Sequence, residues 1–296
     1  MHRRPGALLT LLVAMMVMAA ACGSSDDGGG AVETTTSAPA TTSAPATTSA
    51  APTTAAPTTS MAAPPETTTA PAEVLRIVLA NDDGVGAPGI DALAVALRDL
   101  DDVEVTIVAP ADEKSGSGAS TTDGALTAAA ATTASGLEAT AVDGFPADAV
   151  IWALDNVDPA PHVVVSGSNS GQNFGPLQSL SGTVGAARQA AQLGVPAVAV
   201  SQGLAEPIDF AASVSAAVDW IDDHRDEYLA GDVSLWSINS PTCPDGPQGV
   251  VEVPWGPEWN DRGGDVSCDS DLEELTDDID AFLNGWTAIS ELAIAG

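Results

Sequence analysis

The chain has 296 residues, with 41 acidic against 8 basic side chains and a formal charge of −33. Such a negative surface repels nucleic acid, so nucleic-acid binding is excluded, and solubility is the plain reading of the acidic excess. The apolar residues suffice for one sizeable core, but only residues 74–296 carry the mixed composition that builds one.

At the start, His2, Arg3 and Arg4 precede an apolar run over residues 7–21, too short for a comfortable membrane span. This predicts a removable export signal over residues 1–21. Its end, Met18-Ala19-Ala20-Ala21-Cys22, is similar to the cleavage region of bacterial lipoproteins. That resemblance implies lipidation of Cys22, membrane attachment through an N-terminal lipid and residence on the extracytoplasmic face of the cell membrane. An ordinary signal peptide cut after Ala-x-Ala is the alternative. Loss of Arg3 and Arg4 with the leader takes the side-chain charge from −33 to −35. Residues 22–73, rich in Thr, Ala, Pro and Ser and without a periodic apolar face, are expected to be a disordered tether.

From residue 75 short apolar strands alternate with helical stretches. Strands are predicted over residues 75–80, 103–109, 162–166, 195–201 and 235–238, and helices over 87–100, 147–154, 183–193 and 210–228. This rhythm predicts an α/β fold, a mostly parallel sheet covered by helices on both faces, because the strands are apolar throughout rather than alternating. Residues 115–136 show no period and read as a long loop with a hairpin. The stretch from the strand at 235–238 to residue 271 reads as an excursion from the sheet. Cys243 and Cys268 lack metal-ligand spacing; with Cys22 taken by lipid an even number remains, which agrees with a bond between them, two free thiols being the alternative.

In an open parallel sheet, ligands sit beyond the carboxyl ends of the strands. Three loops fall there: Asn81-Asp82-Asp83-Gly84, residues 110–118 and residues 166–175. Adjacent carboxylates converge on one cation only if the chain turns at once, which Gly84 permits. Taken singly, the acid pair is also an ordinary Asp-Gly turn, and the Ser/Asn-rich third loop an ordinary polar loop. Ser181-Gly182-Thr183 opens a helix of small residues, placing free N–H groups where an anion is stabilised; a plain Ser N-cap is the alternative. The body's cations are Arg76, Arg98, Lys114, Arg188, Arg225 and Arg262, so a bound cation becomes the natural attractor for a phosphate-bearing substrate.

The string Leu-Arg-Ile-Val-Leu-Ala-Asn-Asp-Asp-Gly-Val-Gly-Ala-Pro-Gly-Ile over residues 75–90 resembles the opening of the SurE family. Val108-Ala109-Pro110 with Ser115-Gly116, Gly144-Phe145-Pro146-Ala147-Asp148, Val165-Ser166-Gly167-Ser168-Asn169 and Ser181-Gly182-Thr183-Val184-Gly185 continue the likeness. The resemblance implies a Rossmann-like sheet with a C-terminal extension used in dimer contacts, as a homodimer or tetramer. It further implies hydrolysis of nucleoside monophosphates with a divalent ion, Mg²⁺ or Mn²⁺. Carried over by position, the metal ligands would be Asp82, Asp83, Ser115 and Asn169; Asp82, Asp83 and Asn169 would be catalytic, and Ser181, Gly182 and Thr183 would bind phosphate.

The family's Asp-Arg pair after Ala-Pro is replaced here by Ala111-Asp112, and its Asp and Tyr before Ser-Gly-Thr by Leu177 and Leu180. The alternative reading is therefore a lipid-anchored nucleotide- or solute-binding protein with little turnover. A structural cell-envelope protein rests on the tether alone. Serine-nucleophile hydrolysis lacks a histidine near a candidate serine in sequence, and no Gly-x-Gly-x-x-Gly follows the first strand to suggest a dinucleotide site.

Overall fold

The computed structural model describes residues 73–259, 262–272 and 274–295. The expected signal peptide, Cys22 and the tether as far as residue 72 lie outside them. In chain order the elements are β1 (Leu75–Ala80), α1 (Pro88–Arg98), β2 (Val103–Pro110), β3 (Thr127–Thr132), β4 (Glu138–Asp143), α2 (Pro146–Asn156) and β5 (Val163–Ser170). A 3-10 turn over Gly175–Ser179 leads into α3 (Gly182–Gln192), β6 (Ala197–Gln202), α4 (Ala211–Asp223), α5 (Arg225–Ala230) and β7 (Leu235–Ser240). The C-terminal part adds β8 (Val250–Glu252), α6 (Asp278–Leu283) and β9 (Thr287–Glu291).

The strands form one sheet in the order β3-β4-β2-β1-β5-β6-β7-β9-β8, parallel except where β3 meets β4 and β9 meets β7. Successive residues on a strand point to opposite faces, and both faces are filled. Ile77, Leu79, Ile107, Val165 and Val200 pack beneath Ile90, Leu93 and Leu97 of α1 and Ile221 of α4. Val78, Val108, Val164 and Ala199 pack beneath Val150 and Ala153 of α2 and Val184, Ala187 and Ala190 of α3. Burying such side chains contributes about 25 cal/mol per Å² of apolar surface, which explains why the strands read as unbroken apolar runs.

Four sequence expectations are corrected. The strand expected over 162–166 continues to Ser170, with a register shift between Ser166 and Asn169 against β6. The helix expected over 210–228 breaks at His224, whose ring stacks on Trp220 with centroids 3.7 Å apart and whose Nδ1 contacts the Trp220 carbonyl. The hairpin expected within 115–136 is shifted: β3 pairs with β4, beyond residue 136. β3 is almost entirely exposed, so no apolar face gave it a period. The excursion after β7 returns to the sheet once, as β8 on the edge beside β9. Within that stretch Cys243 and Cys268 are disulfide-bonded, Cα atoms 5.7 Å apart.

Candidate active site

From β1 the chain crosses one way to β2 and later the other way to β5, so β1 and β5 flank the point where the strand order reverses. Side chains at the carboxyl ends of these two strands face a crevice that the crossovers leave open. Asp82 and Asp83 follow β1, and Asn169 and Ser170 end β5.

The first two loops and the approach to α3 are stitched together by backbone bonds. Lys114 N donates to the Asp82 carbonyl at 2.7 Å, Val85 N to Pro110 O at 2.9 Å, and Gly118 N to Leu180 O at 3.1 Å. Asn81 Nδ2 donates to Gly84 O at 2.8 Å. Gly84 has φ 95°, the left-handed region that lets the chain turn straight after the acid pair.

Asp82 is 2% exposed and its Oδ1 accepts a hydrogen bond from Thr183 Oγ1 at 2.6 Å. Burial raises its carboxyl to about 6, with the Asp83 charge adding, while the Thr183 hydroxyl and N–H oppose the shift. Asp83 is less buried, and its Oδ2 accepts from Ser170 N at 3.0 Å. Its carboxyl is also pushed up by burial, opposed by the Ser170 N–H and reinforced by the Glu113 carboxylate. Two neighbouring carboxylates pushed toward protonation mark a place where a cation would be stabilised.

Asn169 Nδ2 is spent on Gly171 O at 2.6 Å, and its Oδ1 has no partner among the described residues. Ser115 is exposed; its N–H donates to Glu113 Oε1 at 2.7 Å and its hydroxyl has no partner among the described residues. Of the four expected ligands the described contacts tie Asp83 to Ser170, the neighbour of Asn169, and place Lys114, the neighbour of Ser115, on the Asp82 carbonyl. Among the described residues no three acidic, His or Cys side chains gather, so a cation here would need those neutral oxygens. Oxygen donors of this mixture fit a hard divalent ion such as Mg²⁺ or Mn²⁺.

At the start of α3, Ser181 Oγ accepts from Val184 N at 3.1 Å, an ordinary N-cap. The Thr183 hydroxyl, fully buried, is committed to Asp82 rather than open to a ligand. What this turn offers an anion is backbone: the Gly182 N–H has no acceptor among the described residues. A Cβ on Gly182 would come within 2.8 Å of Asp82 Oδ2 and of Ser117 Oγ, so only glycine lets the helix approach Asp82 this closely. Asn173 extends the contact inward, donating through Nδ2 to Ser201 Oγ at 2.9 Å and, at 3.5 Å, toward Thr183 Oγ1. Nothing in the sequence singles out Asn173 or the Ser170 N–H among their polar neighbours; the irregular end of β5 gives them their roles. Beside Asp83 opens a cleft of about 500 Å³ lined by Gly84, Pro88, Ala111, Asp112, Glu113 and Ser170, among others.

A family model described as Survival protein SurE matches residues 77–256. The chain belongs to the SurE family. A protein of Rhizorhabdus wittichii named 5'-nucleotidase SurE is 44% identical over 149 residues, covering 49% of this chain and 57% of that protein. The 5'/3'-nucleotidase SurE of Yersinia pseudotuberculosis is 44% identical over 144 residues, covering 48% of this chain and 55% of that protein. The chain therefore spans about half the length of these curated relatives. The crystal structure of the SurE protein from Aquifex aeolicus aligns with a TM-score of 0.61 at 28% identity, over 74% of this chain and 93% of that one. The mixed, mostly parallel sheet flanked by helices is thus the SurE fold.

Proposed function

We propose that this SurE member is a divalent-metal-dependent phosphatase that hydrolyses phosphomonoesters, with nucleoside 5'-monophosphates as its substrate class. The observation that carries this is the meeting of Asp82 and Asp83 with the end of β5 at the point where the strand order reverses, through Ser170 N on Asp83, with the first turn of α3 against Asp82. Asp82, Asp83, Asn169 and Ser115 would hold Mg²⁺ or Mn²⁺. When bound, such an ion would supply positive charge for the phosphoryl oxygens and a more acidic water. Thr183 and Ser170 fix the two carboxylates, so that neither must reorganise as charge shifts. The Gly182 N–H, without an acceptor among the described residues, would be available to a phosphoryl oxygen at the helix N-terminus. In the reaction a water oxygen bonds to phosphorus, the ester P–O bond breaks, and the alcohol leaves with a proton while inorganic phosphate remains.

The test is phosphate release from nucleoside monophosphates and p-nitrophenyl phosphate with Mg²⁺ or Mn²⁺, by the native chain and by Asp83→Asn. Stimulated release by the native chain, abolished in a folded variant, supports the reading; equal activity removes Asp83 from the mechanism.

The anchoring reading is also a proposal: the leader directs export, Cys22 carries lipid and residues 22–73 tether the phosphatase domain, residues 74–296, outside the membrane. It rests on the Ala-Ala-Ala-Cys junction and the Pro/Thr-rich composition. Labelled fatty acid appearing in the native chain but not in Cys22→Ala tests it. A homodimer or tetramer, suggested by the C-terminal extension, is tested by light scattering.

A further inference from the structure

The end of β5 that carries Asn169 and Ser170 is irregular. Gly167 and Ser168 have no register partner on β1 or on β6; pairing stops at Ser166 and resumes, with β6, at Asn169. The ladder that fixes an ordinary strand therefore does not fix these two residues, and other contacts must set where the next two stand.

Those contacts are made by buried polar groups. Ser168 and Ser213, the third residue of α4, are both fully buried, with their hydroxyl oxygens 2.7 Å apart. The Ser213 hydroxyl donates to Phe210 O at 3.1 Å, so the proton between the two serines comes from Ser168. Ser213 N donates to Gln202 Oε1 at 3.0 Å, and Gln202 O accepts from Gly171 N at 2.9 Å. The start of α4 and Gln202 thus hold the chain at Ser168 and again at Gly171. The Ser168 carbonyl is in turn pressed against α1, since a Cβ on Gly89 would lie 1.9 Å from it. Between the two anchors stands Ser170, whose N–H donates to Asp83 Oδ2 at 3.0 Å.

Stability alone does not call for a hydroxyl pair at this place. Two alanines would keep nearly the same shape and leave no hydroxyl stranded, and replacing both partners of a hydrogen bond in this way is nearly neutral. What the pair adds is direction, because a hydrogen bond fixes distance and angle where apolar packing does not.

We propose that Ser168 and Ser213 are positioning residues for the candidate metal site: their bond holds the bulged end of β5 in place, and with it the Ser170 N–H on Asp83. Neither hydroxyl touches cation or substrate; both act through the backbone of residues 168–170. This rests on the metal-dependent reading and deepens it, giving Asp83 support from α4, a helix that carries none of the expected ligands.

The experiment uses the full chain, native and as Ser168→Ala, Ser213→Ala and the double variant, with Mn²⁺ as the probe. Mn²⁺ affinity is read by calorimetry and the thermal midpoint on the metal-free chain. Loss of an outer partner of a metal site weakens metal affinity about tenfold, and that loss is expected in all three variants. Stability is expected to follow a different order. Ser213→Ala strands the Ser168 hydroxyl and melts lowest, whereas the double variant strands none and melts close to native. Phe210 O keeps its bond from Val214 N in both. Weak Mn²⁺ binding in a double variant of near-native melting point is therefore the mark of positioning. Native Mn²⁺ affinity in the single variants overturns the proposal, as does affinity that returns with the melting point in the double variant, the mark of a structural role. If the native chain binds Mn²⁺ and releases phosphate from p-nitrophenyl phosphate while the variants bind Mn²⁺ equally well, this inference alone falls. A native chain that neither binds Mn²⁺ nor releases phosphate overturns both readings.

Discussion

Thr183 Oγ1 donates to Asp82 Oδ1 at 2.6 Å, tying the first turn of α3 to a carboxylate in the loop after β1, 101 residues earlier in sequence. Thr183→Val keeps the shape and removes the donor. Burial then acts on Asp82 without this counterweight, so its carboxyl rises further. The expected result is a Mn²⁺ affinity about tenfold weaker near pH 6, recovering as pH rises, with Thr183→Ser close to native. Titration calorimetry at two pH values checks it.

The raised Asp82 carboxyl also makes a statement about stability. Its folded value of about 6 lies above the ordinary 3.8, so the folded chain holds the proton more tightly than the unfolded one. The associated stabilisation is full below about pH 4 and is lost as pH rises through 6, a difference of about 3 kcal/mol. Metal-free Asp82→Asn is therefore expected to be more stable than native at pH 7 and to match it near pH 4. Denaturant midpoints at the two pH values, with chelator present, measure this.

Gly182→Ala inserts a methyl group where Asp82 Cβ stands at 2.7 Å and Ser117 Oγ at 2.8 Å. Overpacking of this kind costs about 1–3 kcal/mol, and here it pushes on Asp82 directly. Turnover is expected to fall at least about tenfold while the chain stays folded. Circular dichroism alongside the phosphatase assay separates the two effects.

The cleft beside Asp83 carries Asp112 and Glu113, and none of its described lining residues is basic. A substrate bearing a second phosphate would meet like charge there. Asp112→Arg is expected to lower KM for a nucleoside bisphosphate about tenfold and to change KM for p-nitrophenyl phosphate far less, the gap shrinking at high salt. Steady-state kinetics at two ionic strengths test the pattern.

The Cys243–Cys268 bond closes a loop of 25 residues that contains β8. Loop-closure entropy gives it about 3 kcal/mol. Replacing both cysteines by serine is expected to lower the denaturant midpoint accordingly and to leave Asp82, in another part of the sheet, with its native metal affinity.

Legibility in the sequence followed burial. β1 announces itself because apolar residues nearly fill it and the core demands it. β3 was unreadable because its Ala and Thr side chains face water and carry no period. The polar half of β5 read as a loop, since Ser-Gly-Ser-Asn-Ser has no apolar signal, yet backbone pairing with β6 resumes at Asn169 and Ser170. In the candidate site the acids and Asn169 were visible as residue types at strand ends. The diversion of the Thr183 hydroxyl to Asp82 was not, because a serine or threonine at a helix start reads equally as cap, anion donor or anchor until its neighbour 101 residues away is placed.

Asp278, at the start of α6, is buried and accepts from Gly175 N at 2.9 Å through one oxygen and from Gly256 N at 2.8 Å through the other. Gly175 opens the turn that delivers Ser181 and Thr183. The C-terminal stretch therefore acts as a splint on the approach to α3. Random mutagenesis selecting for altered turnover should yield alleles around residues 254–283 that touch neither substrate nor cation, and a library confined to the strand-end loops would miss them.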